Sequence, residues 1–200
     1  MLTTSFFQRD VFTVARDLIG VELVWHGCSG IIVETEAYAV EGDEACHTAS
    51  RPSTRQFVAT MPAGTAYVYF NYGMYWLFNL LVKGGSRDGI ILVRALEPRM
   101  GIEAMQARRG KSALKDLCSG PGKLTVALGI TGADHCTQMV GRERPTEVGL
   151  RRIRGRSDRI VAEDVRVGIS KAAHYPWRYL AKGNPHVSVP HGKVKPPPSR

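Results

Sequence analysis

The run Ile32-Val-Glu34-Thr-Glu36-Ala-Tyr38 places two carboxylates and a phenol at alternate positions. In an extended strand successive side chains point to opposite faces, so Glu34, Glu36 and Tyr38 share one face and Val33, Thr35 and Ala37 take the other. If that face lines a pocket, a carboxylate there can deprotonate a water, the usual start of a hydrolysis. Taken alone, a polar strand facing solvent is the simpler account. A second cluster is aromatic: Tyr67, Tyr69, Tyr72 and Tyr75 fall around Asn71-Tyr72-Gly73, a turn signal between two β-rich runs. Tyr72 falls at the turn, where a large ring has little core to enter. A rigid ring at an exposed tip suits a wedge between base pairs, with neighbouring rings stacking an extruded base. For Tyr67 and Tyr75, packing on the core is the simpler reading. Third, Arg94 interrupts the apolar run Ile90-Ile-Leu-Val93, where an unpaired charge is costly; it calls for an anionic partner, either a carboxylate such as Glu36 or a phosphate.

Other chemistries find little support. There is no phosphate-binding loop, dinucleotide fingerprint or nucleophile elbow. Cys28, Cys46, Cys118 and Cys136 are far apart with no Cys-x-x-Cys, which excludes a zinc ribbon or a thioredoxin-like site. Cys46-His47 behind Asp43 and Glu44 would need metal ligands from unrelated places, so no metal is assigned.

The elements that position these residues read as one domain over residues 1–192, with a Pro/Lys-rich tail over 193–200 expected to be mobile. Val11, Val14, Ala15, Leu18 and Ile19 recur at helical spacing behind Asp10 as N-cap and before Gly20 as stop. Strands are expected over 21–25, 30–38, 90–95, 160–167 and 177–180, a hairpin over 65–82, helices over 101–109 and 123–128, and a short closing segment over 185–189. Residues 39–63 read as a long, irregular, polar connection. Strands outnumber helices and lack regular crossovers, so the fold class is α+β: a mostly antiparallel sheet flanked by helices, with a protruding β-hairpin.

The chain has 200 residues and a net charge of +9, which suggests a polyanionic partner. The excess is uneven, −2 over residues 1–100 and +11 over 101–200. Seven arginines lie in Arg142–Arg159. A solvated loop or strand edge accounts for that stretch, with phosphate contact the minority reading. No signal peptide and no apolar run of membrane-spanning length is present, so reduced thiols and a cytoplasmic, nucleoid-associated protein are expected.

Five ordered motifs carry a resemblance: Val33–Tyr38, Asp43–His47, Gly64–Tyr75, Leu92–Pro98 and Leu117–Leu124 closely resemble the alkyladenine (3-methyladenine) DNA glycosylase family, over about Phe6 to Val189. The resemblance implies a monofunctional enzyme, monomeric and without cofactor or lyase activity, acting on double-stranded DNA. It would flip 3-methyladenine, 7-methylguanine, hypoxanthine or ethenoadenine from the duplex and hydrolyse the N-glycosidic bond. By the same resemblance Glu36 activates the water, Arg94 lies near it, and Tyr72 fills the gap left by the nucleotide. Tyr38 and Tyr69 sandwich the base, His47 is on the pocket wall, and Asn79 discriminates against the exocyclic amine of guanine. Met74, Tyr75, Arg55 and Lys123 contact DNA. Glu34 is expected to be structural. The chain departs from the family at Ser53-Thr-Arg-Gln56, where a Thr-Pro-Arg-Asn run is common. A non-catalytic lesion- or RNA-binding module would use the same charge and hairpin but has no need of a water-activating carboxylate.

Overall fold

The computed structural model describes residues 2–141, 147–153 and 160–194. The first α-helix follows directly from the sequence: Asp10 accepts hydrogen bonds from the backbone N–H groups of Phe12 and Thr13, capping α1 (Val11–Asp17). Such a cap is worth about 1 kcal/mol. Val11, Val14 and Ala15 face the core. Strands β1 (Glu22–Trp25) and β2 (Cys28–Ala39) then form a hairpin through His26-Gly27, both at positive φ.

Next come α2 (His47–Ser50) and α3 (Pro52–Thr60), in the region expected to be irregular. Pro52 opens α3, where its missing N–H costs nothing. Thr54, Phe57 and Val58 give it one buried face. Three such positions in a polar stretch make a weak periodic signal.

Strands β3 (Ala66–Asn71), β4 (Tyr75–Val82) and β5 (Gly89–Met100) follow as a meander, then α4 (Ile102–Arg109), α5 (Pro121–Leu128), β6 (Val148–Arg151), β7 (Val161–Asp164) and β8 (Arg178–Ala181). The sheet runs β3-β4-β5-β2-β1-β6, all antiparallel, with β8 pairing the middle of β2 and β7 pairing β8. This is the expected α+β domain. Strand β5 runs through Pro98, beyond its expected end. The 160–167 strand ends early, at Asp164, and the closing segment forms no strand.

One face of the sheet carries the main core, where Phe7, Leu18, Trp25, Phe78 and Leu124 pack together. A smaller cluster of Phe57, Val58, Tyr67, Leu81 and Ile90 lies under α3. Strand β2 is buried along its length, with only Tyr38 partly exposed. Within the Arg142–Arg159 stretch, Arg142, Arg144, Arg154, Arg156 and Arg159 fall outside the described residues, as do tail residues 195–200. Arg151 pairs with Glu22 at 2.6 Å and Arg152 lies over the Phe6 ring.

Candidate active site

Strand pairing lines up one residue from each of five strands: Tyr67 with Asn79, Asn79 with Leu92, Leu92 with Glu36, and Glu36 with Arg178. Directly paired residues stand on the same side of a sheet, so these five form a row. Beside it β2 skips Val33 and β5 skips Arg94 in the pairing; the two bulges cancel. Bulges re-aim side chains next to functional sites. Here Arg94 reaches back to both carboxylates, with Nε 3.3 Å from Glu34 Oε1 and Nη1 3.2 Å from Glu36 Oε2. Burial disfavours its charge, but Glu36 and Glu34 outweigh that and hold the guanidinium above its ordinary pKa.

The carboxylates share a face, as the alternation predicts, but that face is interior: Glu34 and Glu36 are both 0 % exposed, so the solvent-facing reading fails. Glu36 Oε2 accepts from Tyr38 Oη at 2.8 Å, and Oε1 from the Val167 backbone N–H at 2.7 Å. A carboxylate has about four acceptor positions. With Arg94 and Tyr38 on Oε2, one acceptor position on Oε1 has no donor among the described residues. Glu34 carries one more partner than Glu36: Arg178 at 2.8 Å, Ser188 Oγ and Arg94 on Oε1, and the Ser188 N–H on Oε2.

A cavity of about 320 Å³ opens over this row. Glu36 is not itself in the wall; Tyr38, Arg94 and Val167, which contact it, are. Tyr69, His47, Asn79 and Tyr72 also line the cavity, bringing together the expected base-binding residues. Burial first, then the Glu36 charge, raises the Tyr38 phenol well above its usual range, so it stays protonated and donates. Burial likewise raises Tyr69. His47 packs edge-on to Tyr69 at 4.4 Å, with Nδ1 3.2 Å from Tyr67 Oη. Burial, with a smaller effect of Arg51, pushes the imidazole down to about 4, so it is neutral near pH 7. Asn79 donates Nδ2 to the carbonyls of Tyr67 and Leu77. What it can offer the cavity is therefore the acceptor Oδ1.

At the cavity mouth the hairpin turns on Tyr72 and Gly73, at φ +49° and +65°, closed by Met74 N–H to Asn71 O at 3.1 Å. A bulky residue with positive φ is a genuine outlier, and such strain clusters at functional sites. Tyr72 is 81 % exposed. Met74 and Tyr75 are exposed beside it, so Tyr75 is not a core residue. Tyr75 rests on Gly122, where a Cβ would stand 2.7 Å from the ring; this places the exposed Lys123 next to the hairpin. Arg55, also exposed, donates Nη1 to Thr48 O at 2.7 Å and so ties α3 to α2.

Sequence reasoning missed the contribution of residues 166–169 and 188. Val167 acts through its backbone N–H, which leaves no signature in side-chain type. Arg166 and Asp43 form a fully buried bidentate pair at 2.6 and 2.9 Å, for which the only sequence signal was an arginine inside the strand-like run 160–167.

Comparison with known proteins gives a consistent picture. The family described as Methylpurine-DNA glycosylase (MPG) matches residues 5–185. A protein of Rhodopseudomonas palustris (strain HaA2) is 43% identical over 189 residues, 94% of this chain and 90% of the relative. One of Bradyrhizobium diazoefficiens is 42% identical over 192 residues, 96% of this chain and 92% of the relative. One of Agrobacterium fabrum is 43% identical over 184 residues, 92% and 90% of the two chains. All three are named "Putative 3-methyladenine DNA glycosylase".

Proposed function

The chain belongs to the methylpurine-DNA glycosylase family, whose members hydrolyse N-glycosyl bonds in DNA, and from that premise we propose how its cavity works on a damaged purine. A purine such as 3-methyladenine, 7-methylguanine, hypoxanthine or ethenoadenine is flipped from double-stranded DNA into the cavity, and Tyr72 enters the gap. Tyr38 and Tyr69 hold the base between their rings and His47 closes the wall. Asn79 stands at the base edge and disfavours the exocyclic amine of guanine by crowding it. Met74, Tyr75, Arg55 and Lys123 face the DNA.

The water occupies the open acceptor position of Glu36 Oε1. As its oxygen attacks the deoxyribose C1′, the N-glycosidic bond breaks and its electron pair leaves with the base. Glu36 takes the water's proton, and an abasic sugar remains. A base alkylated at a ring nitrogen carries positive charge and departs neutral, so it needs no acid. Hypoxanthine and ethenoadenine depart as anions unless protonated, and neutral His47 is not an acid near pH 7. They are the slower substrates. Among the described residues no lysine lines the cavity, which supports a water mechanism with no strand cleavage.

The observation that carries this reading is the carboxylate of Glu36, aimed by Tyr38, Val167 and Arg94 directly below a cavity walled by aromatic rings. The test is free-base release from duplexes containing each lesion, by the wild type and by Glu36→Gln. The wild type is expected to release base. The variant is expected to bind the lesion duplex normally and to lose at least about 100-fold in single-turnover rate, the lower end of what a general base contributes. Wild-type rates in the variant would remove Glu36 as the base.

A further inference from the structure

We propose that Arg166, which does not reach the cavity, is a positioning residue for the reaction: one guanidinium ties together the strand that carries both Glu36 and Tyr38, the turn that leads to His47 on the pocket wall, and the late segment that supplies the Val167 N–H. The inference rests on the reading of Glu36 and Tyr38 given above.

Arg166 is 2 % exposed, and its bonds go to each segment in turn. Nη1 donates to Ala37 O at 3.0 Å, the carbonyl of the residue between Glu36 and Tyr38. The Ala37 N–H donates to Trp177 O at 2.9 Å, so the peptides on both sides of Ala37 are fixed. Nη1 and Nη2 grip Asp43, whose Oδ1 accepts from the Ala45 N–H and whose carbonyl accepts from the Cys46 N–H. Those two bonds set the turn that delivers His47. Nη2 also donates to Ala172 O. The guanidinium lies over two rings, 4.6 Å from the Tyr38 centroid and 4.9 Å from that of Trp177, and Trp177 is itself stacked on Tyr175 at 4.2 Å and 5°. The residue next in the chain is Val167, whose N–H orients Glu36.

A buried ion pair is seldom more stabilising than apolar side chains of the same volume. Stability therefore does not account for one placed here; fixed direction does. The planar fork supplies bidentate bonds and two stacking faces at once, which a lysine cannot. Its loss frees the Tyr38 ring and the Val167 N–H to drift, and a displacement near 1 Å in a reacting geometry costs on the order of 100-fold in rate.

The test uses Arg166→Lys, and the double variant Asp43→Leu/Arg166→Met, which leaves no orphaned charge and so guards against unfolding. Both are assayed for single-turnover release of hypoxanthine, per active site, and for affinity to the same duplex. The active-site count comes from the fluorescence change of an ethenoadenine duplex on binding. The expected result is a rate lower by about 10- to 100-fold with affinity within about 3-fold of wild type, with Arg166→Lys the less impaired of the two. Wild-type rates per site in either folded variant overturn the proposal, as does an equal loss of rate and affinity, or failure of both variants to fold, each of which makes Arg166 a scaffold residue. A wild-type protein that releases no base from any lesion defeats the functional reading as well, whereas an active wild type with unimpaired variants defeats only this inference.

Discussion

Replacing Tyr72 by glycine separates what the fold needs from what the reaction needs. An L-residue in the left-handed region carries a cost of roughly 1–2 kcal/mol, which Tyr72 bears at φ +49°. Glycine removes that cost but adds backbone entropy to the unfolded chain, worth about 0.5–1 kcal/mol. The ring is 81 % exposed. It has thus lost only about 40 Å² to burial, worth at most about 1 kcal/mol. These contributions nearly cancel, so Tyr72→Gly should melt within about 2 °C of wild type. Tyr72→Ala loses the same ring but keeps the left-handed cost, and should melt about 2–4 °C below Tyr72→Gly. Activity should move differently. An aromatic ring stacked on a base is worth about 1–3 kcal/mol, so losing the wedge should slow single-turnover base release by about 5- to 150-fold in both variants. The checks are thermal melts of the three proteins and release from one lesion duplex at saturating enzyme. Wild-type release by Tyr72→Gly, or a melting temperature below that of Tyr72→Ala, would refute the reasoning.

Burial holds the folded pKa of His47 near 4, against about 6.5 in the unfolded chain. The stability it contributes as a neutral ring is therefore complete above about pH 6.5 and is lost as pH falls towards 4. Partial exposure reduces the loss to the order of 1–2 kcal/mol. Urea melts at pH 7 and pH 4.5 should show a smaller acid penalty for His47→Gln than for wild type; equal penalties would contradict it. Gly122→Ala drives a Cβ to 2.7 Å from Tyr75 Cγ and 2.9 Å from its Cβ, so the base of the hairpin must move. A destabilisation of about 1–3 kcal/mol is expected, and an unchanged melting temperature would mean that the Tyr75 ring swings aside freely. Lys123→Ala should weaken binding to damaged and undamaged duplex alike and lower the slope of log affinity against log salt by about 1, while a selective loss for the lesion would place Lys123 in recognition instead.

Much of the site was legible because it depends on local rules. Alternation along a strand put Glu34, Glu36 and Tyr38 on one side, and Tyr72-Gly73 announced the hairpin. What alternation could not reveal is whether that side faces water, since this depends on β8 and the segment after β7 closing over it. Arg94 was legible as a charge needing an anion, a carboxylate such as Glu36 or a phosphate. That it serves two carboxylates at once depends on a bulge in β5, which has no signature in residue type. Helix α3 was missed because its buried stripe is only Thr54, Phe57 and Val58 amid polar residues, and Val167 because its role belongs to a peptide group.

The uneven charge takes on a different meaning in the folded chain. The basic second half looked like a supply of contacts to the DNA backbone, with the chemistry confined to the near-neutral first half. Yet Arg166 and Arg178 are buried against Asp43, Glu34 and Asp164, and Arg108 and Arg109 donate to the carbonyls of Ala127 and Leu117. All four guanidiniums are engaged with groups of the protein itself, Arg166 and Arg178 in its interior, so the net charge overstates what is free to bind phosphate. Glu34 on β2 and Asp43 in the following loop pair with arginines more than 100 residues later, and Glu36 receives its Val167 N–H from the same late segment. Neither half holds the whole candidate site. The Glu36 carboxylate is buried, paired and aimed only once β8 has docked along β2, which couples assembly of the candidate site to completion of the sheet.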